Sequence, residues 1–334
     1  MLFSIIIPVY NRPQELKELL QSLYSQESPP NYEVVVIEDG SSFKSRLVVS
    51  DYEDKMPIRY VEIPNGGPAN ARNVGAKEAQ GDFFIILDSD VVLPVDYLSR
   101  VASELEQDPA CDAFGGPDMA DISFSSVQKA INYAMTSFLT TGGIRGGRHR
   151  LTKKYYPRSF NLGCRASVYR SLGGFERSMR FGEDIDFSMR LYEAGHRVRL
   201  YPGAGVFHKR RIDFKKFFKQ VFNFGIARVH LSQRHPGTMR WVYLLPSLFT
   251  IGTLGWFIAS LFIPSLWWGV GLLMLVIFID SLRLNCSLAV ALLSIPATWT
   301  QLLGYGTGYL YAAWCCYILQ SREFTTKTFS TKHN

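Results

Sequence analysis

The chain has 334 residues and a formal net charge of +7, from 36 Lys and Arg against 29 Asp and Glu. This length allows one large domain with an appendage, or two domains. The five cysteines form no CxxC pair and no metal-ligand spacing, so we interpret them as packing residues in a reducing compartment. The lack of a GxGxxG sequence argues against a dinucleotide cofactor.

The first part of the chain alternates between apolar strands and helical patterns. Phe3–Pro8 is a continuous apolar run without the basic residues of a signal peptide, so we interpret it as a strand. Leucines at helical spacing follow Pro13. Tyr32–Ile37 and Ile58–Ile63 are predicted as the second and third strands, and Pro68–Gln80 as a helix. With the strand that follows, this pattern predicts a parallel, Rossmann-like nucleotide-binding sheet.

The fourth predicted strand, Phe83–Leu87, ends abruptly in Asp88, Ser89 and Asp90. A buried parallel strand would deliver both carboxylates to the carboxyl edge of the sheet, where ligands bind in open α/β sheets. A divalent cation bridging to phosphate oxygens would compensate their repulsion. The alternative is a simple strand-to-loop turn, since Asp and Ser are common turn residues.

Basic residues are concentrated in the middle of the chain. Residues 122–175 contain nine Lys or Arg and no acid, and most of these cations lie between Arg145 and Arg158. This segment is either a solvated loop near anionic lipid headgroups or a phosphate-binding element. Nucleic acid is a weaker candidate, because acids at the sheet edge and a membrane tether suit a phosphate-backbone reader poorly.

Two further candidate positions precede the membrane region. Glu183 and Asp184 are predicted at a helix N-terminus, where the helix dipole favours carboxylates; a simple N-cap is the alternative. His208 stands beside the basic cluster Lys209–Arg211, where a lone histidine is more often a surface or packing residue. Residues 213–240 carry phenylalanines at helical spacing among lysines, which predicts an amphipathic helix on an anionic membrane surface.

Two uncharged runs of 39 and 38 residues, Trp241–Ile279 and Leu284–Ser321, predict a membrane anchor. Pro264 and Ser265 divide the first run into two spans; the second is either two short spans or one tilted span. We therefore predict three to four helices in residues 241–321, a polar tail in 322–334, and a catalytic domain in 1–212. The positive-inside rule places that domain in the cytosol, on the inner membrane.

Five motifs in order resemble family 2 glycosyltransferases, inverting enzymes with the GT-A fold. They are SIIIPVYNR, VVVIEDGSS, GGPANARNVGAKEAQGDFFIILDSDV, NLGCRASVYRSLGGF and GEDIDFSMRLYEAGHRV. The resemblance covers roughly Phe3 to Gly225. The membrane tail of this chain is similar to that of family members that act on lipid-linked or exported glycans.

The resemblance implies a role for each candidate residue. Pro8 and Tyr10 would line the nucleobase pocket, and Asp39 would hydrogen-bond the base. Arg72 would approach the ribose or diphosphate, and Asp88 the ribose or donor sugar.

On the same basis, Asp90 would hold a divalent metal, Mn²⁺ or Mg²⁺, on the diphosphate, and His208 would be a further metal ligand. Asp184 would be the general base, with Glu183 as its neighbour and fallback. Such a site would transfer a sugar from a UDP- or GDP-sugar to an acceptor hydroxyl. A polyprenyl-linked saccharide is the acceptor that the anchor and the basic segment favour.

One departure limits the resemblance. Processive synthases carry Gln-x-x-Arg-Trp on an interfacial helix, whereas this chain has Gln220 followed by Val, Phe, Asn and Phe. We therefore expect the transfer of one or a few sugars. The alternatives are a processive polysaccharide synthase and a non-catalytic nucleotide-binding scaffold on the membrane.

Overall fold

The computed structural model describes residues 1–119, 124–141, 154–179, 181–209 and 213–320. The predicted polar tail and most of the basic segment, including Arg145 and Arg150, lie outside these residues. The strands are β1 (Phe3–Val9), β2 (Tyr32–Asp39), β3 (Ile58–Ile63), β4 (Phe83–Leu87), β5 (Val91–Val92), β6 (Ala113–Gly115), β7 (Asp118–Met119), β8 (Asn161–Arg165), β9 (Val198–Leu200) and β10 (Val206–His208). The helices are α1 (Pro13–Tyr24), α2 (Arg46–Ser50), α3 (Pro68–Glu78), α4 (Tyr97–Gln107), α5 (Ser126–Thr136), α6 (Phe138–Thr141), α7 (Ala166–Ser171), α8 (Glu183–Glu193), α9 (Phe214–Arg234), α10 (Leu245–Ser260), α11 (Trp267–Asn285) and α12 (Leu288–Ala313).

The chain divides into two compact units. The first contains residues 1–121 and 152–209, and the second contains residues 122–151 and 210–334. The structure thus groups residues 122–151 with the C-terminal part, whereas the sequence places them in a catalytic domain of residues 1–212. The reason is that the apolar face of α5, with Ala130 and Ile131, is buried against residues of α9 and α12.

A seven-stranded sheet organises the first unit, in the order β3-β2-β1-β4-β8-β6-β9. Strands β1 to β4 are parallel, while β8 runs antiparallel to both β4 and β6. The four predicted parallel strands are confirmed. Their apolar runs are nearly continuous because both faces of the sheet are covered: Ile5 and Ile7 of β1 belong to one core cluster, and Ile6 to the other.

A separate three-stranded sheet, in the order β5-β10-β7, lies in the same unit. Strand β10 pairs antiparallel with β5, which places His208 opposite Val91, and parallel with β7, which places Val206 opposite Asp118. Strand β5 begins directly after Asp90, so this small sheet brings the end of the acidic turn beside His208.

In the second unit, α12 packs against α5, α9, α10 and α11. Two helical segments, Pro264–Asn285 and Leu288–Ile318, are long and apolar enough to cross a membrane, whereas α10 is shorter. Helix α11 leaves large apolar side chains such as Trp268 and Leu272 exposed, at 84% and 62%. An exposed apolar surface of this kind indicates association with a membrane.

The first apolar run is divided at Pro264, as the sequence predicts, between α10 and α11. The second run forms the single helix α12, which continues through the π-helix Trp314–Ile318 and contains Pro296 in its interior. The described residues of this region therefore form three apolar helices, and the second run is one continuous helix, as in the alternative of a single span. Neighbouring helices tolerate a proline inside an apolar helix.

Helix α9 is the predicted amphipathic helix, and its buried face is covered inside the unit. Phe217 and Val221 are fully buried in a cluster with residues of α5 and α12. Glycines let the backbones of α9 and α12 approach closely: a Cβ built on Gly308 would lie 2.1 Å from the carbonyl oxygen of Phe222. Much of the apolar face of α9 thus packs on protein rather than lying on lipid.

We expect Gly308→Ala to destabilise the second unit by about 1–3 kcal/mol, because the added methyl group forces two helix backbones apart. Gly252→Ala is the matched control, since a Cβ at that exposed helical position meets no atom within 4 Å. Thermal unfolding of the detergent-solubilised protein measures both variants. Equal midpoints for the two variants would contradict the close packing of α9 on α12.

Candidate active site

The predicted nucleotide-binding residues lie where parallel strands end. Pro8 pairs with Ile37 near the ends of β1 and β2, and Tyr10 follows β1 with 44% of its surface exposed. Asp39 is the last residue of β2, and Asp88 directly follows β4. The structure therefore brings the ends of these neighbouring strands to one edge of the sheet.

Asp39 shapes the loop that leads into α3. Its two carboxylate oxygens accept hydrogen bonds from the backbone N–H groups of Gly66 and Gly67, at 2.7 and 3.0 Å. Gly67 has φ +82°, a conformation that favours glycine. A contact between Asp39 and a nucleobase stays a prediction, and holding this loop is the role that the contacts show.

Glu38, one residue earlier, holds the next loop and was not singled out from the sequence. Its carboxylate accepts hydrogen bonds from the hydroxyl of Ser41, the backbone N–H of Ser45 at 2.7 Å and the hydroxyl of Tyr60 at 3.0 Å. Glu38 is only 1% exposed, so its side chain is buried inside the protein. Together, Glu38 and Asp39 fix the loops on either side of the end of β2.

Arg72 joins the end of β4 to the start of α8. Its guanidinium donates to Asp88 Oδ1 at 2.7 Å and to Glu183 Oε1 at 2.8 Å, and its side chain is 4% exposed. Burial lowers the pKa of Arg72, but the two carboxylates outweigh it and raise the pKa above its usual value. Arg72 is thus a fixed cation between two acids that lie far apart in the sequence.

The two acids at the start of α8 have different surroundings. Glu183 is buried, whereas Asp184 is half-buried and accepts from its neighbour Ile185 N at 2.8 Å and from Ser159 N at 3.3 Å. The helix cap itself is Gly182, with φ +81° and no side-chain hydrogen bond, so the alternative of a simple N-cap does not describe either acid.

A second cluster surrounds Asp90. Its carboxylate forms an ion pair with Arg12, and its Oδ1 lies 3.3 Å from His208 Nε2. The other ring nitrogen of His208, Nδ1, lies 3.6 Å from Asp118 Oδ1. The ring of Phe160 stacks on His208 with 4.7 Å between centroids. His208 therefore lies between the carboxylates of Asp90 and Asp118, with Phe160 on one face.

Comparisons with known proteins decide the family. The profile described as Glycosyl transferase family 2 matches residues 4–173, just over half of the chain. The chain belongs to glycosyltransferase family 2.

Relatives and solved structures agree with this assignment. The pre-mycofactocin glycosyltransferase of Mycobacterium tuberculosis is 30% identical over 239 residues, 70% of this chain and 48% of that protein. The succinoglycan biosynthesis protein ExoA of Rhizobium meliloti is 24% identical over 258 residues, 75% of this chain and 77% of that protein. The chain thus spans about half the length of the first of these relatives.

Among solved structures, a mannosyltransferase from Pyrobaculum calidifontis aligns with a TM-score of 0.62 and 15% identity, over 89% of this chain and 86% of that one. Residues 1–349 of Staphylococcus aureus TarS align with a TM-score of 0.50 and 22% identity, over 68% of this chain and 65% of that one. At these identities the likeness shows the fold. The predicted GT-A fold with its mostly parallel sheet is confirmed.

In this family 2 glycosyltransferase, Asp90 and His208 have the donor atoms that a divalent cation needs. A carboxylate oxygen and an imidazole nitrogen lie together beside a guanidinium, so the cluster already holds positive charge. The described residues contain no group of three or more His, Cys, Asp or Glu side chains that could hold a metal ion. With two protein ligand atoms, a cation held here would take its remaining ligands from phosphate oxygens and water.

The pKa values of Asp90 and His208 reflect the interaction between the two side chains. Burial raises the pKa of Asp90, but His208 and Arg12 outweigh it and hold that pKa well below its usual range. Burial lowers the pKa of His208, but Asp90 and Asp118 outweigh it and raise that pKa to about 9.

Glu183 has the opposite perturbation to Asp90. Burial raises its pKa from 4.5 to about 7; Arg72 opposes this increase, and the adjacent Asp184 adds to it. Since the native state then binds a proton more tightly than the unfolded chain, Glu183 contributes stability below pH 4.5 that is lost as the pH rises to 7.

We therefore expect the thermal unfolding midpoint of the wild type to decrease, relative to that of Glu183→Gln, as the pH rises from 4.5 to 7. Above pH 7 the two midpoints should keep a constant difference. The corresponding difference in the free energy of unfolding changes by at most about 1.4 kcal/mol per pH unit. Thermal unfolding across this range measures it, with Glu62→Gln as an exposed-carboxylate control. A wild type that gains on the variant as the pH rises would show that Arg72, and not burial, dominates.

Proposed function

We propose that the chain is a membrane-associated, inverting glycosyltransferase that moves a sugar from a nucleotide-diphosphate sugar to a hydroxyl of a lipid-linked saccharide. The observation that carries this proposal is the ion-paired bridge in which Arg72 joins Asp88 to Glu183. It connects the strand end of a nucleotide-binding sheet to the helix start that carries Asp184. A donor and an acceptor bound at these two places would meet.

Donor binding is assigned to the edge of the sheet. Pro8 and exposed Tyr10 would line the pocket for the base, and Asp88, which is 29% exposed at its side chain, would face the ribose or donor sugar. Related folds have been solved with UDP-GlcNAc, in the case of TarS, and with GDP-mannose and Mn²⁺, in the case of the mannosyltransferase. A UDP- or GDP-sugar is accordingly the donor class that we propose.

In the proposed reaction, the acceptor oxygen attacks the anomeric carbon as the bond to the diphosphate oxygen breaks. The half-buried Asp184 carboxylate takes the acceptor proton, and the nucleoside diphosphate leaves with the bonding electrons. A single displacement of this kind inverts the anomeric centre.

Asp90 and His208 would hold a divalent cation, Mn²⁺ or Mg²⁺, which when bound would stabilise the charge on the leaving diphosphate. Arg12 beside Asp90 and Arg72 beside Asp88 place two further cations at the donor edge. Positive charge fixed before the reaction stabilises a developing anion without reorganisation.

The acceptor assignment depends on the second unit. Its exposed apolar helices would keep the enzyme at a membrane, where polyprenyl-linked saccharides reside. ExoA is named for succinoglycan biosynthesis, and another relative, 27% identical over 237 residues, is a chondroitin synthase of Pasteurella multocida. These names support a role in polysaccharide assembly, and we propose that it takes place at the inner membrane with the first unit in the cytosol.

A transfer assay tests the donor, the acceptor and the base together. Membranes containing wild type, Asp184→Asn or Asp51→Asn, an exposed control, are given a panel of radiolabelled nucleotide sugars and a lipid extract. We expect label in lipid from one donor with wild type and Asp51→Asn, and an initial rate about 10²- to 10⁴-fold lower with Asp184→Asn.

Equal labelling by Asp184→Asn would reject Asp184 as the base. Transfer to a soluble glycan but not to lipid would contradict the acceptor class, and long chains from one donor would contradict limited transfer. The anomeric configuration of the product, measured by NMR, tests inversion: retention of the donor configuration would contradict it.

A further inference from the structure

Asp118 lies behind His208 in the three-stranded sheet β5-β10-β7. Its side chain is only 2% exposed, and its Oδ1 lies 3.6 Å from His208 Nδ1. On the opposite edge of the same ring, His208 Nε2 faces Asp90 Oδ1 at 3.3 Å. The three side chains form a line in the order Asp118, His208, Asp90.

The strand pairing fixes this line. β10 pairs with β7 on one side and with β5 on the other, so His208 is held between the strand that begins at Asp118 and the one that follows Asp90. The backbone N–H of Lys209 also donates to the carbonyl of Asp90 at 3.0 Å. Phe160 stacks on the ring of His208, with an angle of 22° between the planes. The two ring nitrogens of His208 therefore make their polar contacts at the edges of the ring.

A histidine ligates a metal through a neutral nitrogen, and the proton then stays on the other nitrogen. A carboxylate that accepts this proton fixes the tautomer, orients the ring and makes the ligating nitrogen more basic. Asp118 faces Nδ1 and so leaves Nε2 for the side of the ring where Asp90 lies.

We propose that Asp118 is a positioning residue for the donor-side cation: it holds His208 with Nδ1 protonated and Nε2 directed at the ion shared with Asp90. The inference rests on the proposed function, since it assumes a cation at Asp90 and His208. Asp118 itself touches neither the cation nor the donor.

A second Asp–His pair in the same unit provides a matched control. Asp112 Oδ2 lies 3.2 Å from His196 Nδ1, and this carboxylate also accepts from the backbone N–H of Arg197 at 3.0 Å. Its side chain is 23% exposed, and neither residue belongs to the cluster around Asp90. Asp112→Asn therefore removes the same kind of contact without approaching the donor edge.

The test measures Mn²⁺ affinity by electron paramagnetic resonance on the purified full chain, alone and with saturating UDP or GDP. We expect Asp118→Asn, which keeps an acceptor oxygen but loses the charge, to bind Mn²⁺ about 10-fold more weakly. Asp118→Ala, which loses both, is expected to approach a 100-fold loss. Asp112→Asn should match the wild type, and nucleotide affinity without metal should be unchanged in every variant.

A direct measurement on the wild type covers the case in which an Asp118 variant misfolds. ¹⁵N NMR of the histidine-labelled, Zn²⁺-loaded protein, with His208 assigned by its loss in His208→Gln, should show Nδ1 protonated and Nε2 bound to metal. Unchanged Mn²⁺ affinity in both Asp118 variants, metal on Nδ1, or no Mn²⁺ binding by the wild type would each overturn the inference.

These outcomes are separable from those of the proposed function. A wild type that transfers sugar without binding Mn²⁺ would overturn the role of Asp118 and leave the transferase in place. A wild type that binds Mn²⁺ in an Asp118-dependent way but transfers no sugar would support the cation site and reject the transferase.

Discussion

The ion-paired bridge centred on Arg72 is the interaction on which the rest of the site depends. A guanidinium that is only 4% exposed contacts Asp88 after β4 and Glu183 at the start of α8. Breaking the buried ion pair of Arg72 with Asp88 would cost about 3–5 kcal/mol, because one charge would be left uncompensated, and Glu183 adds a hydrogen bond to the same guanidinium. The bridge therefore holds the donor edge of the sheet and the helix that carries Asp184 in one arrangement.

In the cluster around Asp90, different residues compensate the charge of a buried carboxylate. Two carboxylates spaced by one residue would repel each other, and the protein gives each its own cation: Arg72 for Asp88, and Arg12 with His208 for Asp90. The carboxylates at this edge of the sheet are thus compensated by cations of the protein itself. A nucleoside diphosphate entering this edge would meet cations that are already in place.

Much of this arrangement could be predicted from the sequence. Continuous apolar runs ending in acids predict parallel strands with carboxylates at one edge, and β2 and β4 have that form. The helix that begins at Glu183 was predicted as well. These elements are long enough for local patterns to specify them.

The contacts that sequence reasoning missed depend on elements too short to show a pattern. Strands β5 and β7 have two residues each, so no periodicity could place Asp118 behind His208. Arg12 belongs to the SIIIPVYNR motif, but its ion pair with Asp90 joins residues that lie 78 positions apart in the sequence. Likewise, the apolar face of α9 predicts that this face is buried, but the sequence does not say which element covers it. In the structure, α12 covers much of the face that was expected to contact lipid.

We propose that the acids and cations at the end of β4 form a site that turns over a nucleotide sugar. The most direct test measures nucleoside diphosphate released by the purified full chain from its donor in the presence of lipid extract, for wild type and Asp88→Asn. We expect release by wild type and a loss of about 10- to 100-fold in the variant, because a neutral amide replaces the carboxylate and hydrogen bonds to a charged group are the stronger ones. Equal release by both proteins, or no release by wild type from any UDP- or GDP-sugar, would contradict it.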